Sequence, residues 1–190
     1  MSEACLHIFD VDGTLLDSMS LWDNLAHRYL AEKGLTAPAD LKKTIEAMTL
    51  AESTAWFHEA LGIPEPPAEI ERELLALIER QYREEVRLFP GAAAFLHALR
   101  REGGRMVIFT TSDLACITPA LRREGVLALF DEIYTAATLG HGKSGPEGFL
   151  AICRLQGVSP AETLVYEDAD YAIAAARAAG CRVRVCPNWP

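Results

Sequence analysis

No apolar run in this sequence is long enough to span a membrane. No basic start followed by an apolar stretch marks a secretory leader either, because Asp10 and Asp12 interrupt the first hydrophobic run. Positive charge is scarce: 18 Lys and Arg face 27 Asp and Glu, a formal net charge of −9. No basic block and no Lys/Arg stretch with interleaved aromatics occurs, which excludes the electrostatic footprint of nucleic-acid or anionic-membrane binding. The five cysteines, Cys5, Cys116, Cys153, Cys181 and Cys186, are odd in number and match no zinc spacing. Cys5, Cys153 and Cys181 lie in or beside apolar runs and are expected to be small buried thiols. A reducing cytoplasm suits this pattern. Internal repeats and low-complexity segments are also missing. The 190 residues, half of them hydrophobic, suit one core with a modest appendage. In so acidic a chain an anionic substrate needs local positive charge, from a metal or a placed lysine.

The chemistry starts at Leu6-His7-Ile8-Phe9-Asp10-Val11-Asp12-Gly13-Thr14. Leu6 to Phe9 reads as a short buried strand. Asp10 and Asp12 follow where the strand gives way to a loop, the edge at which open α/β sheets bind ligands. Gly13 permits a tight turn and close backbone approach. Two carboxylates held this close are tolerable when a divalent cation binds or one acid keeps its proton. A calcium loop counted from Asp10 would need Gly at its sixth position and Glu at its twelfth, where Leu15 and Leu21 stand.

From about 18 to 87 the periodicity is helical, with no convincing strand. Leu21, Trp22, Leu25, Ala26, Tyr29 and Leu30 form one apolar face, with Gly34 as its stop. Leu41, Ile45 and Met48 form a second, short one. A third helix is expected from about Glu52 to Leu61, and Ile70, Leu74, Leu77 and Ile78 mark a fourth after the prolines at 64, 66 and 67. The aromatic residues here read as helical core. Thereafter strands alternate with helices: Met106 to Phe109, Glu132 to Thr135, Thr163 to Tyr166 and Arg182 to Cys186 are the strands. Ser159-Pro160-Ala161-Glu162 matches a capping box over a single turn. This alternation predicts βαβ units and a doubly wound α/β sheet.

In such a sheet the strand ends of one sense share an edge. Asp10 and Asp12 follow the first strand, Thr110 the second, and Glu167-Asp168 a later one; Lys143 precedes a crossover helix. Each alone is weak, since a strand-ending Thr is usually a turn residue and a loop Lys is usually solvated. Together they assemble acids, a hydroxyl and an ammonium at one place.

With these residues in view, the chain resembles the haloacid dehalogenase-like hydrolases over nearly its whole length. Asp10-Val11-Asp12-Gly13-Thr14 is similar to that family's first motif, Thr110 to its second, Lys143 to its third, and Val165-Tyr166-Glu167-Asp168 to its fourth. The helical insert matches a cap placed after the first motif, and Ala174 to Gly180 the alanine-rich helix after the fourth. Lys143 is followed by Ser144 where many relatives have Pro, and Ala169 and Tyr171 replace a usual Ser and a frequent Gly.

The resemblance implies a mainly parallel Rossmann-like core, 1–17 and 88–190, with an all-helical cap, 18–87. It implies a Mg²⁺-dependent phosphatase acting on a small phosphorylated metabolite through an aspartyl-phosphate. Asp10 is the implied nucleophile and Asp12 the acid and then base. Thr110 and Lys143 are implied to hold the phosphoryl group, with Gly13, Thr111 and Ser112 around it. The implied Mg²⁺ ligands are Asp10, the Asp12 carbonyl and Asp168, with Glu167 as a supporting acid. Neither nucleic acid nor membrane is an expected partner, and a monomer is compatible with the sequence.

Other chemistries on the same fold are weighed against particular residues. A dehalogenase needs neither Asp12 nor Asp168. A phosphonate hydrolase would use a cap lysine such as Lys33, Lys42 or Lys43, but its relatives lack the second acid of the first motif. The runner-up is a phosphosugar mutase, whose cap carries a His near the position of Trp22; His27 is displaced from it. A non-catalytic phosphate-binding module has no need of the intact acid, hydroxyl and lysine set. Asp23, His27 and Arg28 are the polar candidates on the first cap helix.

Overall fold

A computed structural model describes residues 5–45 and 48–189. The chain divides into two compact units, Met1–Ser18 with Val86–Pro190, and Met19–Glu85.

The first unit holds a five-stranded sheet in the order β3-β2-β1-β4-β5, parallel throughout. The strands are β1 (Leu6–Phe9), β2 (Met106–Thr110), β3 (Glu132–Thr135), β4 (Thr163–Glu167) and β5 (Arg182–Val185). All five fall where the apolar runs predict them. The central strands β1 and β2 are buried at every residue. They therefore read as unbroken hydrophobic runs, as parallel strands covered on both faces must.

On one face Leu6, Ile8, Val107, Phe109 and Val165 pack against Phe149, Ile152 and Cys153 of α8 (Glu147–Gln156) and Ala175 and Ala176 of α9 (Asp170–Ala178). Small alanines on α9 let that helix lie close to the sheet. On the other face Phe9 stacks on Tyr166 at 4.2 Å between ring centroids. Phe95 of α5 (Ala92–Arg101) meets Tyr166 at 5.5 Å, edge to face. α6 (Leu114–Arg123), which follows β2, and the short α7 (Ala136–Leu139), which follows β3, complete this unit.

The second unit is helical: α1 (Met19–Glu32), α2 (Leu41–Ile45), α3 (Leu50–Leu61) and α4 (Pro67–Glu84). Its core gathers Tyr29, Leu30, Leu41, Phe57, Ile70, Leu74 and Leu77. Lys33 joins Glu65 at 2.6 Å and Glu73 at 2.9 Å, tying α1 to α4 and to the turn before it.

Four local expectations need correction. The apolar face of α1 is narrower than its periodicity suggests: Leu21, Tyr29 and Leu30 are buried, but Trp22 is 42% exposed. Indole carries a polar N–H as well as an apolar body, and Trp22 Nε1 donates to Tyr82 Oη at 3.2 Å. α3 begins two residues before Glu52 because Thr49 and Glu52 form a reciprocal capping box there. Ser159 forms no such cap: its hydroxyl donates to the Glu162 carboxylate, and only a three-residue 3₁₀ turn follows. Cys5 is exposed, because it precedes β1, whereas Cys153 and Cys181 are buried as expected.

Candidate active site

The parallel register brings the chemical groups to one sheet edge. Phe9 is paired with Ile108 on one side and Tyr166 on the other. Asp10, the next residue, is therefore level with the ends of β2 and β4, and its N–H donates to Tyr166 O at 3.0 Å. The loop then closes on itself: the N–H groups of Leu15 and Leu16 both donate to Val11 O, at 2.9 and 2.8 Å, and that of Gly13 to Leu16 O at 2.9 Å. Gly13 sits at φ +82°, and a Cβ there would stand 2.2 Å from Asp168 Oδ2. Only glycine permits both the left-handed backbone and so close a carboxylate.

Three buried charges lie at the centre. Lys143 is 4% exposed. Its ammonium donates to Asp10 Oδ1 and, at 2.8 Å, to Glu167 Oε2. Glu167 ends β4, and its other oxygen accepts from the N–H groups of Asp168 and Ala169 at 3.2 and 3.3 Å. Burial raises the Asp10 carboxyl above its ordinary range, with Lys143 opposing the rise. Burial and then the charge of Asp10 push Glu167 up to about 7, again against Lys143. Burial works against the Lys143 ammonium, but Asp10 and Glu167 outweigh it and hold its pKa above the usual lysine value.

Asp168 adjoins this cluster and accepts from Thr14 Oγ1 at 3.2 Å. Carboxylate oxygens of Asp10, Glu167 and Asp168 all lie within 4.8 Å of one another. Asp10 Oδ2 is buried and has no hydrogen-bond partner, an arrangement that is costly unless something binds there. Three carboxylates against one ammonium leave two negative charges, which a divalent cation would balance. An all-oxygen donor set suits a hard ion such as Mg²⁺. These residues fit a bound metal.

Asp12 faces elsewhere. Its two carboxylate oxygens accept from Ser18 Oγ at 2.6 Å and Ser112 Oγ at 2.5 Å. Thr110 is buried at the end of β2, and its Oγ1 accepts from the Ser112 N–H at 3.0 Å. Thr111 and Ser112 line a cavity of about 310 Å³ with Asp113 and Thr135. Asp10, Asp12, Gly13, Thr110, Thr111, Ser112, Lys143, Glu167 and Asp168 thus belong to the unit that carries this edge, whereas Asp23, His27 and Arg28 belong to the helical unit. Sequence reasoning missed the direct Glu167–Lys143 bond, the fully buried Ser18, and Trp189, whose Nε1 donates to Thr14 O at 3.1 Å. Ser18 carries a faint signal, a hydroxyl six residues after Asp12; Trp189 carries none.

Comparison with known proteins agrees with this geometry. A family model described as haloacid dehalogenase-like hydrolase matches residues 6–180. Hexitol phosphatase A of Escherichia coli is 31% identical over 187 residues, covering 96% of this chain and 82% of that protein. Fructose-1-phosphate phosphatase YqaB of E. coli is 29% identical over 181 residues, covering 91% of each. The crystal structure of CbbY from Rhodobacter sphaeroides in complex with phosphate superposes with a TM-score of 0.72 at 25% identity, over 98% of this chain and 87% of that one. Match and motifs together place the chain in the haloacid dehalogenase-like hydrolases.

Proposed function

We propose that this protein is a Mg²⁺-dependent phosphatase that hydrolyses a small phosphomonoester, a sugar phosphate or similar metabolite, through a phosphorylated Asp10. The observation that carries this reading is the buried carboxylate of Asp10, salt-bridged through one oxygen to Lys143 and with the other oxygen unpartnered. The relatives' names, a hexitol phosphatase and a fructose-1-phosphate phosphatase, support the substrate class. In this reading 18–87 serve as the cap of a catalytic core formed by 1–17 and 88–190. The odd number of cysteines, matching no zinc spacing, suits a cytoplasmic setting.

Asp10 and Asp168 would hold Mg²⁺ with Glu167 in support, and the ion would supply charge neutralisation at the phosphoryl oxygens. An Asp10 carboxylate oxygen attacks phosphorus, and the bond to the ester oxygen breaks. Asp12 gives its proton to that leaving oxygen, so an alcohol departs. The Ser18 and Ser112 hydroxyls hold the Asp12 carboxylate in place for this transfer. Asp12, now ionised, takes a proton from water as it attacks the acyl phosphate; inorganic phosphate leaves and both acids are restored. Lys143 favours the ionised form of Asp10 against its burial and offers its charge to the phosphoryl group. Thr110 and the backbone beside Gly13, Thr111 and Ser112 orient that group.

The mutase alternative calls for a cap group that grips a sugar. The single donor of Trp22 is engaged by Tyr82, which favours hydrolysis. The test supplies β-glucose 1-phosphate with a trace of its 1,6-bisphosphate, then a panel of phosphometabolites, with and without chelator. Phosphate release that stops on chelation supports the proposal. Glucose 6-phosphate forming faster than phosphate, or full activity in chelator, overturns it.

A further inference from the structure

Trp189 lies beyond β5, far in sequence from every motif, yet it touches the supports of all three clustered acids. Its ring is near parallel to that of Tyr166, with centroids 5.6 Å apart, and to that of Phe9 at 6.2 Å. Phe9 immediately precedes Asp10, and Tyr166 immediately precedes Glu167. Its indole N–H donates to the carbonyl of Thr14, and the hydroxyl of that same residue donates to Asp168 Oδ1. Thr14 is fully buried, so its carbonyl has no bulk water to turn to should the indole be removed. Gly13, one residue earlier, packs against the same Asp168 carboxylate.

The segment carrying Trp189 is itself held. Arg184 lies over the Phe95 and Trp189 rings at 5.6 and 6.0 Å, and its Nη2 donates to Asn188 O at 3.0 Å. A tryptophan needed only for packing could leave its N–H toward solvent, since Trp189 is half-buried. Instead the donor is aimed at the carbonyl of Thr14, whose hydroxyl bonds Asp168.

We infer that Trp189 is a positioning residue for the metal site: through Thr14 it orients Asp168, and so sets the affinity of the acid cluster for Mg²⁺. This inference rests on the proposed metal site. Trp189 acts through residues that hold the acids: chiefly Thr14, with its ring against Phe9 and Tyr166 in support.

The experiment is calorimetric titration of the metal-free protein with Mg²⁺, without substrate, on the parent, Trp189→Phe, Thr14→Val and the double variant. Phe preserves an aromatic ring and removes the N–H. Trp189→Phe is expected to weaken Mg²⁺ binding by about tenfold, the lower end for groups that orient metal ligands from outside. Thr14→Val is expected to weaken it similarly, and the double variant to lose less than the product of the two, because both act on one chain of contacts. A purely structural role would lower the melting temperature without moving the Mg²⁺ dissociation constant. Unchanged Mg²⁺ affinity in Trp189→Phe, or losses that multiply in the double variant, overturns the inference. A parent protein that binds no Mg²⁺ instead removes the metal site itself, and is distinguished by that first titration.

Discussion

Replacing Lys143 by Met tests how the buried charges are balanced. The variant preserves most of the side-chain volume and removes the only ammonium bonded to Asp10 and Glu167 among the described contacts. Breaking a buried ion pair by deleting one partner costs about 3–5 kcal/mol. At about 2–4 °C per kcal/mol for a chain of this size, the sheet unit should melt roughly 6–20 °C lower. The loss should also depend on pH. Both carboxyls are raised by burial, Glu167 to about 7 from 4.5 even with Lys143 present. A raised carboxyl binds its proton in the folded state where the unfolded chain has released it. Its stabilising effect is therefore full below the unfolded value and is lost as pH rises through the folded one. Without Lys143 both acids rise further, so the deficit against the parent should be largest near about pH 8 and shrink toward about pH 5.5. The assay is thermal melting of both proteins in excess chelator across this range. A deficit that stays constant with pH, or its absence near pH 8, would refute the electrostatic account of the cluster.

Gly13→Ala should lose both stability and metal affinity. The left-handed backbone costs roughly 1–2 kcal/mol for a residue with a side chain, and the new Cβ displaces Asp168. Gly157→Ala, at φ +65° with nothing within 4 Å of its Cβ, should show a backbone cost alone. Equal Mg²⁺ affinity in the two variants would contradict the close Gly13–Asp168 approach. In the helical unit, hydrogen bonds from Lys33 hold the Glu65 and Glu73 carboxyls below their ordinary value of 4.5. Their contribution is present above that value and is lost as pH falls through the lowered ones. Lys33→Met should therefore flatten the acid side of the melting profile; an unchanged profile counts against this coupling.

The strands were legible because both faces of β1, β2 and β4 are largely covered, so their apolar runs are continuous. The convergence of Asp10, Thr110, Lys143, Glu167 and Asp168 was legible because parallel topology gathers strand ends whatever their distance in sequence. The partners of those residues were not. Glu167 was expected to stand behind the metal ligands, and nothing local reveals that it shares Lys143 with Asp10. Ser18 reads as an ordinary helix-start serine until the loop folds its hydroxyl onto Asp12. Trp22 shows the converse error: helical spacing placed it in an apolar face, but periodicity does not register a side chain whose polar end seeks a phenol at Tyr82. Trp189 reaches Thr14 across 175 residues, and no short-range pattern encodes such a contact.

The central claim is that Asp10 becomes covalently phosphorylated. The most direct measurement is to mix the Mg²⁺-loaded enzyme with phosphomonoester, quench in acid within a turnover, reduce the acyl phosphate with tritiated borohydride, which expels the phosphate and leaves a tritium-labelled homoserine in its place, and locate that label by peptide mass spectrometry. The account predicts label on Asp10, none in Asp10→Asn, and turnover by that variant lower by at least about 10³-fold. Label on another residue, or normal hydrolysis by Asp10→Asn, would contradict it.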